Sequence, residues 1–74
     1  MKRDESEYLK RLGKHIAKIR RSKGYTQDQL FLAAGFSQGT VSKIENGLVD
    51  PQILTLLKMA KTIGVPLKRL LDVE

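Results

Sequence analysis

Cysteine is absent from this chain of 74 residues. That excludes a disulfide framework, a thiolate metal site and a cysteine nucleophile. There is a single histidine, His15. Without a second histidine or a cysteine to join it, no metal site is expected. Tryptophan is also missing, and aromatic residues make up only 5%. Tyr8 and Tyr25 are therefore read as packing residues, because a base-stacking platform needs more rings than this. No apolar run approaches the ~20 residues that a membrane helix requires. The opening Met1-Lys-Arg-Asp-Glu-Ser-Glu7 is charged and has no apolar stretch behind it, so it is not expected to be a secretory signal. Asp4, Glu5 and Glu7 have no partner base. No nucleophile–base pair and no phosphate-binding loop is visible. The expectation is a cytoplasmic, non-enzymatic protein with no cofactor, no membrane partner and no small-molecule ligand.

What remains is enough for one small domain over residues 1–74. Apolar residues make up 41%, sufficient for one core. The net charge is +6, unevenly spread. Residues 1–24 hold nine basic and three acidic residues, and residues 25–50 hold one and three. Residues 51–74 hold four and two. Such a chain attracts nucleic acid, acidic lipid or an acidic protein, and charge alone does not choose among them.

The periodicity predicts an all-α chain of five helices. Helix 1 is expected from about Glu5 to Lys23, burying Leu9, Leu12, Ile16 and Ile19, with Lys10, Arg11, Lys14, Lys18 and Arg21 mostly outside that stripe. Helix 2 starts at Thr26, with Gln29 three residues on as a capping box. After the tight turn Ala33-Ala-Gly35, Ser37 is expected to cap helix 3. Helix 4 begins either at Pro51 after an Asp50 cap or after Gln52, with the stripe Ile53/Leu54, Leu56/Leu57, Ala60 and Ile63. Helix 5 runs from Pro66 or Leu67 to about Asp72.

The segment Ser37-Gln-Gly-Thr-Val-Ser-Lys-Ile-Glu45 with Asn46-Gly47 is the most telling. Wound at roughly 100° per residue, it sets Gln38, Gly39, Ser42, Lys43 and Asn46 on one arc and Val41 and Ile44 on another. One face is apolar. The other carries amide, hydroxyl and ammonium groups, which hydrogen-bond base edges and phosphates. A helix of this kind has one face for a domain and one for a DNA groove.

Thr26-Gln-Asp-Gln-Leu30, Ala33-Ala-Gly35, the Ser37–Gly47 segment and Leu56-Leu-Lys-Met-Ala-Lys-Thr-Ile-Gly-Val65 together resemble the phage-repressor/Cro type of helix-turn-helix domain. The resemblance covers about residues 8 to 72, with the helix-turn-helix proper at about 26–46. It implies a compact five-helix, lambda-repressor-like domain whose third helix enters the major groove. It further implies base reading by Gln38 and Lys43, and base, thymine-methyl or backbone contacts by Thr40 and Ser42. Gly39 occupies a base-reading position where, lacking a side chain, it only permits close approach of the backbone. As a mid-helix glycine it would cost up to ~1 kcal/mol. Thr26, Gln27, Asn46 and Arg20 match phosphate-binding positions, and Gln27 also braces the recognition helix. Arg20 and Glu45 match a structural pair. Phe31 stands where the family usually has alanine, and the loop Leu48-Val-Asp50 lacks basic residues often found there.

The expected function is sequence-specific binding of double-stranded DNA by a transcriptional regulator. A homodimer on a pseudo-palindromic operator is expected, because one domain reads only a few base pairs. Leu67, Leu71 and Val73 are the expected dimer residues. The alternative is an antitoxin-like or other partner-binding module whose DNA binding is autoregulatory.

Overall fold

The computed structural model describes residues 3–37 and 39–73. It contains α1 (Arg3–Ser22), α2 (Gln27–Ala34), α3 (Thr40–Glu45), α4 (Ile53–Ile63) and α5 (Leu67–Leu71), and no strand among the described residues. The long α1 has Asp4 and Glu5 in its first turn and Arg20 and Arg21 in its last, which matches the helix dipole at both ends. Its expected stripe of Leu9, Leu12, Ile16 and Ile19 is buried.

The start of α2 is the capping box read from sequence. Gln29 N–H donates to Thr26 Oγ1 at 3.0 Å, and Thr26 N–H donates back to Gln29 Oε1 at 2.9 Å. Gly35, at φ +78°, ends the helix in the left-handed conformation. The start of α3 differs from expectation. Ser37 does not cap it; Gly39 does, at φ +93°. The Ser37 carbonyl accepts Thr40 N–H at 3.2 Å, and the Ser37 and Thr40 hydroxyls pair at 2.9 Å. The serine therefore closes a turn, and the left-handed Gly39 delays the helix until Thr40. Gly39 thus costs nothing as a mid-helix glycine, because its backbone needs a residue free of a Cβ.

In α4 the second of the two starts is observed, with Gln52 as the N-cap. Its buried residues are Leu56, Met59, Ala60 and Ile63, whereas Ile53 and Leu54 are 56% and 65% exposed. The spacing i, i+3, i+4, i+7 puts Met59 on the same buried face as Leu56 and Ile63, and it is fully buried there, although the sequence stripe leaves it out. Leu54 lies about 160° around the helix from Leu56, on the far side. The core joins all five helices, and Ile16, Leu30, Met59 and Leu70 are fully buried.

One contact fixes α3 against α1. A Cβ placed on Gly13 would collide with the carbonyl oxygens of Ile44 and Glu45. A Cβ on Gly47 would lie 2.7 Å from Lys10 Cα. Backbone therefore meets backbone along the end of α3. A glycine inside a long helix costs stability and calls for a packing reason. Here the reason is the seat of α3.

Candidate nucleic-acid interface

The helix α3 has only six residues, too few to be stable alone. It is held from within. Val41 and Ile44 are buried in the core cluster. Below them Glu45 is buried at 7% exposure, as is Arg20 of α1. Arg20 Nε donates to Glu45 Oε2 at 2.7 Å, and Nη2 donates to Oε1 at 3.0 Å. Arg20 Nη1 donates to the Tyr25 carbonyl at 2.7 Å, and Gln27 Nε2 donates to Glu45 Oε1 at 2.9 Å. One carboxylate thereby ties α1, the loop before α2, α2 itself and α3 together. The fork is bidentate, the geometry in which a charged hydrogen bond is strongest and most directional. Among the described residues no buried side-chain nitrogen or oxygen lacks a partner.

The pairing of Arg20 with Glu45 is the one that the resemblance implies, and Glu45 points into the protein. Arg20 is buried beside it with its donors directed to Glu45 and Tyr25, a position that suits holding α3 and leaves little surface for a phosphate. The carbonyl of Tyr25 and the glycine at position 13 were not singled out from sequence. An unexplained mid-helix glycine was the available signal for the second.

On the outer side Lys43 and Asn46 are exposed, and Thr40, Ser42 and Gly39 are half-buried. Asn46 Nδ2 donates to Ser42 Oγ at 3.3 Å, which aligns two polar groups one turn apart. Gly39 has no heavy atom within 4 Å of where a Cβ would stand, so this spot opens to solvent. Thr26 is exposed at the start of α2, and Gln27 is half-buried there. Gln38 lies outside the described residues. A cleft of about 260 Å³ runs between α2 and α3, lined by Gln27, Asp28, Phe31, Gly39, Val41 and Ser42. Phe31 finds its space there, half-buried against the core.

Among the expected dimer residues, Leu67 and Val73 are half-buried and packed against the core. That occupies them within one chain. Leu71 is 38% exposed, and the larger exposed apolar side chains are elsewhere: Ile53, Leu54, Tyr8, Leu32 and Leu48. Among the described residues no group of His, Asp and Glu could hold a metal ion, and no helix is long and apolar enough to cross a membrane.

Two helices joined across a left-handed glycine, the second presenting polar groups outward and locked inward by a buried ion pair, define a helix-turn-helix. The comparisons agree. A family model described as helix-turn-helix matches residues 16–70. The helix-turn-helix-type transcriptional regulator y4dJ of Sinorhizobium fredii is 39% identical over 56 residues, covering 76% of this chain and 73% of that protein. SlrR of Bacillus subtilis, also a helix-turn-helix-type transcriptional regulator, is 38% identical over 64 residues, covering 85% of this chain but 42% of its own. The chain thus spans less than half of that relative. Among solved structures, the restriction-modification controller protein C.AhdI of Aeromonas hydrophila has a TM-score of 0.80 at 24% identity, with 84% of this chain and 94% of that one covered. A transcriptional regulator of Vibrio cholerae also has a TM-score of 0.80, at 23% identity, with 89% and 37% covered. Both share the fold. The chain belongs to the helix-turn-helix family, and it carries the DNA-binding domain of that family's transcriptional regulators.

Proposed function

We propose that the chain is a sequence-specific transcriptional regulator that binds double-stranded DNA as a homodimer, with α3 in the major groove of each half-site. The observation that carries this reading is the two-faced α3. Its inner face is fixed by Val41, Ile44 and the Glu45 network, while Lys43 and Asn46 stand exposed on the outer side.

Within this reading Gln38, Thr40, Ser42 and Lys43 contact bases. Gln38 suits adenine, because its amide both donates and accepts, and Lys43 suits guanine O6/N7. Gly39 lets the backbone approach the groove closely. Thr26, Gln27 and Asn46 hold phosphates, and Arg20 serves α3 through Glu45. The partner copy docks on the apolar surface formed by Ile53 and Leu54 at the start of α4, continuing past Pro51 to a groove bordered by Tyr8 and Leu71. One copy measures 33 × 23 × 19 Å. Half-sites about 34 Å apart, one turn of the duplex, require two copies whose centres are displaced by about one long dimension.

Selection of bound sequences from a random pool of duplexes tests the whole proposal. The expected product is a pseudo-palindrome with half-site centres about 10–10.5 bp apart. Enrichment of no sequence would overturn the specific reading. Enrichment of single half-sites with no preferred spacing would overturn the dimer.

A further inference from the structure

We propose that the groove between α1 and α5 is a docking site for an acidic protein segment that carries apolar side chains between its carboxylates. The groove has a volume of about 530 Å³. Lys14 and Lys18 of α1 and Arg69 of α5 are exposed along it, and Arg11 stands at its rim. Asp72 is the one carboxylate among the residues that line it. Val73, half-buried, and the edge of Ile19 form an apolar floor.

The groove faces away from the reading helix. Gly13 abuts the end of α3, whereas His15 Nε2 lies 2.8 Å from the Arg69 carbonyl in α5. That carbonyl only accepts, so Nε2 carries the proton and donates. Two residues along a helix turn through about 200°, so α3 and α5 lie on opposite flanks of α1. A duplex seated on α3 therefore leaves the groove open. The His15 bond and the shared core fix the width of the groove before anything binds, which lowers the ordering cost of an occupant.

Charge and shape together select the occupant. A surplus of cations attracts any polyanion. A duplex backbone, however, is wide and charged at every step, and it has no apolar side chain to place on Val73. A single segment alternating carboxylates with apolar residues suits both the cations and the floor. Its carboxylates meet Lys14, Lys18 and Arg69, and its apolar side chains meet the floor and the aliphatic stems of the lysines. This would give the DNA-binding domain a separate place to receive a protein partner.

The test is an amide NMR titration of the DNA-free protein with three short synthetic peptides, alternating Glu with Leu, Glu with Ser, and Lys with Leu. The Glu/Leu peptide is expected to shift the amides of residues 14–22 and 69–73. The Glu/Ser peptide should bind several-fold more weakly, and the Lys/Leu peptide not at all. Lys14→Glu/Lys18→Glu should weaken the Glu/Leu peptide by about tenfold or more, with Lys18→Glu alone serving if circular dichroism shows the double variant unfolded. The proposal is overturned by an absence of binding, by equal binding of the Glu/Ser peptide, or by shifts confined to α3, which would make the peptide a mere imitation of DNA. It is overturned equally if a short duplex shifts the groove amides in place of those of α3.

Discussion

Arg20 and Glu45 form a buried charged pair that holds α3 against α1. Both are buried, so removing one partner strands the other in a low-dielectric interior. That costs about 3–5 kcal/mol for a pair of this kind. Arg20→Ala should therefore lower the melting temperature sharply and weaken DNA binding with it. Arg20→Ala/Glu45→Ala should recover part of the stability, and a double-mutant cycle read by chemical denaturation gives the coupling. Strictly additive losses would show that the pair does not act as one. A second contrast separates reading from positioning. Gln38→Ala should cost about 1–3 kcal/mol on the best site and relax preference at one base pair. Gln27→Ala should weaken all sequences alike, through phosphate contact and through its bond to Glu45. Identical selection profiles for the two variants would refute the division. The resemblance made the Arg20–Glu45 pairing legible in the sequence. Their burial was not legible, because it depends on how closely α1 approaches α3, and that distance is set by Gly13, whose partners Ile44 and Glu45 are far along the chain.

At the scale of elements, two glycines give opposite tests. Gly39 has open space where a Cβ would stand but a φ of +93°. Gly39→Ala should cost about 1–2 kcal/mol through strain alone. Gly13 has an ordinary helical place in α1 but no room at all. Gly13→Ala should force α3 off its seat and cost about 1–3 kcal/mol or more. Thermal melts should show a loss of roughly 4–8 °C per kcal/mol for a domain of this size. If Gly39→Ala raised the melting temperature, as replacing a true mid-helix glycine would, the observed start of α3 would be wrong. The helices themselves were largely legible. Local signals carried them: the Thr26 box, the glycine stops and the apolar periods. The start of α3 was misread because Ser37 has the composition of a cap, and composition does not reveal which bond the hydroxyl takes. The stripe of α4 was misread because its first turn contains apolar residues that serve no core of this chain.

Those same residues matter for the molecule as a whole. Ile53 and Leu54 are exposed together at the start of α4, and Tyr8 and Leu71 are exposed along a groove that Pro51 also lines. Leu54→Glu should abolish self-association in sedimentation while leaving the melting temperature close to that of the parent, since its side chain leaves no core contact behind. Leu71→Glu should have a smaller effect on both. Unchanged association in Leu54→Glu would move the interface elsewhere. Binding to DNA should also fall steeply with salt, with a log–log slope of about −0.9 per phosphate neutralised. Fluorescence anisotropy across a salt series measures it, and a flat response would remove phosphate contact from the mechanism. Sequence shows where apolar residues lie but not whether a core has already claimed them, as it has claimed Leu67 and Val73.

The burial of Arg20 and Glu45 divides the molecule's electrostatics into two compartments. Exposed charges feel the ionic atmosphere, whose screening length shrinks from about 10 Å at 0.1 M salt to about 3 Å at 1 M. The buried fork is sheltered from mobile ions. Raising salt is therefore expected to release a duplex while the fork keeps α3 oriented. A protein released from DNA by salt is then expected to keep α3 in place, so that dissociation is a reversible act of the solvent and requires no refolding on return.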